Sequence, residues 1–287
     1  MPIRDLSYAH WTGTRSERSP AWILARAQLR LILARRSVRF LLVVSALFTL
    51  AWSGMIYLET RVPSGGPWAQ ISQVTRLDAR SFWRFFVWQR LAHLLLCVAA
   101  GADLIALDRR HKALQIYLAR PLRASDYLLG KGLALAVLLS LATWVPGLLL
   151  VVLRIALGAS IAWLAPQPWL PLSILGYSAA LIGGCTLLTL AVSSLSASSR
   201  LAGVQLLAFV ILTAAAGDLL STLTRAPVWQ LVSFNANLDR VASAVFAEVP
   251  GHDVPLTLAL AALVALAAGC AALLATRIRP IEVVGSS

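Results

Sequence analysis

The sequence predicts an all-α integral membrane protein: six transmembrane helices, an N-terminal interfacial helix, and a short cytoplasmic coupling helix between spans two and three. Three observations carry that prediction. Hydrophobic residues make up 59% of the 287 and charged residues 13%, against roughly 25% charged in soluble domains. Apolar runs long enough to cross a hydrocarbon core recur along the chain. Lys and Arg are also shared unevenly between alternate connecting segments, the pattern that sets membrane orientation. Segments 1–39, 108–131, 194–200 and 277–287 hold 17 of the 25 basic residues in 81 positions, whereas 59–84, 154–171 and 218–253 hold 7 in 80. The bias places both termini and the 108–131 loop in the cytoplasm. It accounts for the net charge of +13 without invoking nucleic acid.

The elements follow in order. Residues 1–19 are polar and mixed, a loose tail. Ala21 to Arg39 interleaves bulky apolar groups with Arg26, Arg30, Arg35, Arg36 and Arg39, which fits a helix in the headgroup layer with snorkelling arginines. The first domain is thus the tail and interfacial helix over 1–39, and the six-span domain occupies 40–287. A secretory signal does not fit, because the first apolar run starts at Phe40 behind eight arginines and is too long. The spans are placed at about 40–58, 85–107, 127–153, 172–194, 201–217 and 254–276, with the coupling loop at 108–126. Pro146 kinks span three, and Ala165-Pro166-Gln167-Pro168 separates it from span four. Gly183-Gly184 in span four permits close helix packing. The outer loop 218–253 contains an amphipathic piece, Val228 to Phe246. Between spans one and two, Trp83, Phe85, Phe86 and Trp88 suit an interfacial aromatic belt.

Span two is awkward. Only Leu91 to Ala102 is free of charge, too short to cross, so the helix must take in Arg90, His93 and Asp103. Ionisable groups at membrane depth are costly and count as functional candidates, here for lining a pathway. Either Arg90 snorkels outward and Asp103 sits at the cytoplasmic interface, or the groups are buried. If buried, Arg90 and His93 share a helix face and line one cavity.

Several chemistries are missing. No P-loop is present: Leu129-Gly130-Lys131-Gly132 lacks the upstream glycine and the following Ser/Thr. The four histidines are scattered and there is no H-E-x-x-H, so no metal site is expected. Cys97, Cys185 and Cys270 fall inside apolar runs and read as small buried residues. Gly176-Tyr177-Ser178-Ala179 matches the G-x-S-[GA] string of rhomboid-type proteases. That chemistry needs a membrane-embedded His, for which only His93 is available, so a packing motif explains the string better. No catalytic residue and no bound cofactor are expected on this chain.

The stretch 101–131 is the most informative. After the cluster Asp108-Arg109-Arg110-His111-Lys112, a helical piece runs to Arg120 with Leu114, Tyr117 and Leu118 on one apolar face. Pro121 ends it, and Ser125-Asp126 reads as an N-cap opening the next helix at Tyr127. A short amphipathic helix at a cytoplasmic membrane edge is a helix-in-groove ligand. The set Asp108, Arg109, Tyr117, Leu118, Arg120, Pro121, Leu122, Tyr127, Gly130 and Lys131 resembles the type-2 ABC exporter permeases, over about thirty residues. The rest of the chain is similar in layout, and the EAA-type loop of ABC importers is not seen. The resemblance implies a permease that dimerises, as a homodimer or related heterodimer, and binds two copies of a separately encoded ATPase carrying ATP and Mg. It implies a bacterial cytoplasmic membrane. Leu114, Tyr117 and Leu118 would seat in the ATPase groove, Asp108, Arg109, Arg120 and Arg123 would make rim ion pairs, and Pro121 and Gly130 would shape the loop. A membrane scaffold without transport is the competing reading. Neither reading names a substrate.

Overall fold

The computed structural model describes residues 19–61, 78–111, 123–158, 160–196 and 198–278. The tail, the segment 62–77 and the coupling helix, with Leu114, Tyr117, Leu118, Arg120, Pro121 and Leu122, lie outside the described residues. The elements are α1 (Pro20–Ala34), α2 (Arg36–Arg61), α3 (Ala79–Leu96), a π turn (Cys97–Gly101) and α4 (Asp103–Arg110). They continue with α5 (Ala124–Ser140), α6 (Trp144–Gly158), α7 (Leu170–Leu195), α8 (Ser199–Thr224), α9 (Phe234–Val245) and α10 (Leu256–Arg277). Short 3₁₀ turns occupy Ile161–Leu164 and Pro227–Val232. No strand occurs among the described residues. Six helical units are long and apolar enough to cross a membrane, as expected of a multi-pass membrane protein: α2, Ala79–Arg110, Ala124–Gly158, α7, α8 and α10.

Span four (α7) is the central helix, packed against spans two, three, five and six and against α9. Roughly half of the apolar windows of spans two, three and four is buried inside the chain, against 17% for spans one, five and six. The inner three therefore carry the polar groups that must be satisfied internally, and the outer three present leucine, valine and isoleucine outward.

The helix boundaries depart from the sequence reading in instructive ways. Span two is one 32-residue unit rather than 85–107. The helix begins at Ala79 because Asp78 caps it, its carboxylate accepting from the Ser81 N–H at 3.0 Å. Span five runs on to Thr224, with Asp218 held on it by the side-chain amide of Gln230 at 2.9 Å. The helix after the coupling loop starts at Ala124, with Arg123 at the N-cap position and no side-chain cap bond. Ser125 and Asp126 lie in its first turn, where the acid favours the helix dipole without capping it. Phe85 and Phe86 are not an interfacial belt. They are fully buried and pack with Tyr177, Phe246 and the partly buried Phe48 and Trp52 in one aromatic cluster, and of the four aromatics Trp88 alone is largely exposed.

Span three breaks where a proline argument places it. The turn spans Leu141–Thr143, just ahead of Pro146. Proline has no N–H to give to the carbonyl four residues back, here that of Ala142. The His93 ring occupies the vacancy: its Nε2 lies 2.9 Å from the Ala142 oxygen. A carbonyl only accepts, so Nε2 carries the proton. Replacing His93 with Phe strands a buried carbonyl and is expected to cost about 1–3 kcal/mol. Pro146→Ala restores the missing donor, so thermal unfolding of the His93→Phe, Pro146→Ala pair should show a clearly smaller loss than His93→Phe alone.

Candidate functional site

Two polar clusters stand out against the apolar background, one at each end of span two. The first lies where α4 ends and α5 begins. Asp108, on the last turn of α4, receives the Lys131 ammonium at 2.9 Å and the Tyr127 hydroxyl at 2.7 Å. Lys131 is 3% exposed and also donates to the side-chain oxygen of Gln28 on α1 at 2.9 Å. The ammonium sits 5.6 Å from the centre of the Tyr127 ring. The helix before segment 112–122, the helix after it and α1 thus meet at one buried ion pair.

Gly130 supports the same junction. A Cβ there would lie 2.9 Å from the Ala21 carbonyl and from Leu24 of α1. The sequence reading has Gly130 shape the loop; what the structure shows is a contact with α1. Gly130 lies in the second turn of α5 and lets α1 cross in contact. Nearby, Arg35 joins the same end of the bundle, pairing with Asp103 at 2.6 Å and donating to the Ala99 carbonyl at 3.0 Å. That carbonyl belongs to the π turn, where the regular ladder is interrupted. Ser193 of α7 repairs the rest of the interruption. Its hydroxyl accepts from the N–H groups of Ile105 and Ala106 at 3.0 and 3.1 Å and donates to the Ala102 carbonyl at 2.9 Å. Arg109 donates to the Ser194 carbonyl, closing α4 onto α7. Asp108 and Arg109, read as rim groups, are thus engaged within the chain, while Arg123 makes no ion pair among the described residues.

The second cluster lies toward the other end. Arg90 neither snorkels outward nor stands alone: its guanidinium pairs with both carboxylate oxygens of Asp239, at 2.5 and 2.9 Å, and donates to Tyr177 at 3.2 Å. Asp239 comes from α9, which folds back against α3, α7, α8 and α10. Local bonds build α9 there: Ser233 caps it by accepting from the Ala236 N–H at 3.1 Å, and the Ser173 hydroxyl donates to its terminal Val245 carbonyl at 2.5 Å. A bidentate arginine–carboxylate pair fixes orientation as well as charge. It latches α9 to span two.

A cavity of about 390 Å³ lies beside this latch, lined by Arg90, Leu91, Leu94, Leu181, Phe234 and Asn235 among others. His93 is not among its lining residues. Three positions along a helix leave the two side chains about 60° apart, and the difference directs Arg90 toward α7 and α9 and His93 toward Ala142. The two do not share this cavity. Ser178 is fully buried and its hydroxyl has no hydrogen-bond partner among the described residues, so no Ser178–His93 pair is formed. The neighbouring Tyr177 carries the role in that string, as an arginine partner and an aromatic packing group.

Sequence reasoning missed Asp239, Gln28 and the Arg35–Asp103 pair. One signal pointed to Asp239: a charge inside an apolar run needs an opposite charge, and the amphipathic piece Val228 to Phe246 contains a single acid. No protein-family model matches the chain, and no curated protein matches it. The likeness to exporter permeases rests on the residues of the 101–131 stretch and on the layout of the chain.

Proposed function

We propose that this chain is the membrane-spanning permease subunit of an ATP-driven exporter of the type-2 ABC kind. It works as a dimer in the bacterial cytoplasmic membrane, with two copies of a separate ATPase supplying nucleotide hydrolysis. The observation that supports the reading is the junction at Asp108, Tyr127, Lys131 and Gln28. It brings both flanks of the coupling loop and α1 to one point, so a displacement of the loop is carried directly into spans two and three. Such a joint suits an element that receives force from outside the bilayer. Mechanistically, closure of the ATPase dimer moves the loop helices, and the two permease subunits open between spans. This requires contacts that differ between the two states.

The test is affinity purification in mild detergent. A roughly stoichiometric ATPase is expected with the unaltered chain and not with Leu118→Asp or Tyr117→Asp, both of which should stay folded in the membrane. Equal recovery with the variants would remove the docking role. A stable partner that shows no nucleotide-dependent change would favour a scaffold.

A further inference from the structure

The interfacial helix α1 has two unlike faces. Ala21, Ala25, Gln28 and Ile32, at helical spacing, are its buried side. The opposite side carries Arg26 and Arg30, one turn apart and exposed, together with Trp22, Ile23 and Leu31 at 49–63% exposure. Arg36 and Arg39, on the first turn of α2, are exposed as well. None of these four arginines has an ion-pair partner among the described residues. Water does not suit the three bulky apolar groups, and hydrocarbon does not suit the guanidinium groups. A phospholipid headgroup layer suits both.

The depth of α1 is not left to the helix itself. Gln28 is hydrogen-bonded to the buried Lys131 of span three, and the missing side chain at Gly130 lets Ala21 and Leu24 rest against that span. A single residue, Arg35, separates α1 from span one. The cationic row is therefore held at the level where a span ends. A guanidinium offers a planar fork of donors that matches a phosphate group. We infer that Arg26 and Arg30, flanked by Arg36 and Arg39, bind the phosphate of an anionic phospholipid, with Trp22 and Ile23, which adjoin them on the helix surface, seated against its acyl chains. An acidic protein surface fits less well, because bulky apolar groups stand among the cations on the same exposed face. The inference does not depend on the exporter reading.

The test uses the full chain in nanodiscs of phosphatidylcholine with and without phosphatidylglycerol, and counts the lipids retained by native mass spectrometry. Retained phosphatidylglycerol is expected on the unaltered protein and should fall with rising ionic strength. Arg26→Gln together with Arg30→Gln should weaken retention roughly thirtyfold, and Arg26→Lys with Arg30→Lys should keep most of it. Arg36 and Arg39 stay in place so that the orientation of span one is preserved. Unfolding in pure phosphatidylcholine reports whether the fold is intact. If the double variant does not fold, each single glutamine variant should lose roughly fivefold. Undiminished retention in the glutamine variants would overturn the site. So would loss of an acidic protein partner with lipid retention intact.

Discussion

Replacing Asp108 with alanine is expected to lower the stability of the purified protein by about 3–5 kcal/mol, the range found when one partner of a buried ion pair is removed. The reason is the position of Lys131, which is 3% exposed and has no second carboxylate among its described ion-pair partners. Gln28 offers only a neutral oxygen. The charge must then be desolvated without compensation, or α5 must part from α1 to let water in. Thermal or denaturant unfolding in detergent measures the loss. The double variant Asp108→Leu, Lys131→Met should recover most of it, because a pair replaced by apolar groups of similar volume is often close to neutral. Tyr127→Phe removes one charge-assisted hydrogen bond to the same carboxylate and leaves the ion pair in place, so it should cost less, about 1.5–3 kcal/mol. An Asp108→Ala protein as stable as the original would show that the junction does not form.

Removing the carboxylate at Asp239 should cost nearly as much, about 3 kcal/mol, toward the lower end because its side chain keeps 35% exposure. Arg90, at 14%, is then left among apolar side chains with the Tyr177 hydroxyl and the Asn235 carbonyl as neutral partners. The structural consequence is specific: α9 loses its latch to span two while its caps at Ser233 and Ser173 remain. Asp239→Ala should therefore make residues of α9 more susceptible to protease or hydrogen exchange before the bundle unfolds. Arg90→Met in the Asp239→Ala background should restore global stability but not the protection of α9. Equal protection of α9 in the single variant would place its stability in the apolar contacts of Phe234 and Leu238 instead.

The two ion pairs also explain why a long span tolerates so many polar groups. Span two carries Gln89, Arg90, His93, Asp103 and Asp108. Each meets a partner on another element: Thr49 of span one, Asp239 of α9, the Ala142 carbonyl of span three, Arg35 before span one, and Lys131 of span three. In hydrocarbon an unmet polar group is penalised by several kcal/mol, so these pairings specify how the helices are arranged rather than merely holding them together.

By itself, the sequence determined the all-α membrane class, the existence and order of six spans, the break near Pro146 and the amphipathic piece within 218–253. Those properties depend on local composition, on helical periodicity and on the missing N–H of proline, all carried within a few turns of chain. Only the tertiary structure decided what the polar residues do. Gly130 is a crossing point for α1, Phe85 and Phe86 belong to a buried cluster, and His93 and Arg90 turn to different partners despite their spacing. The physical reason is that a charge or a carbonyl inside an apolar bundle is satisfied by whichever group packing brings near. Those groups lie 49 residues away for His93, 103 for Lys131 and 149 for Arg90, separations over which local patterning in a single chain carries no register.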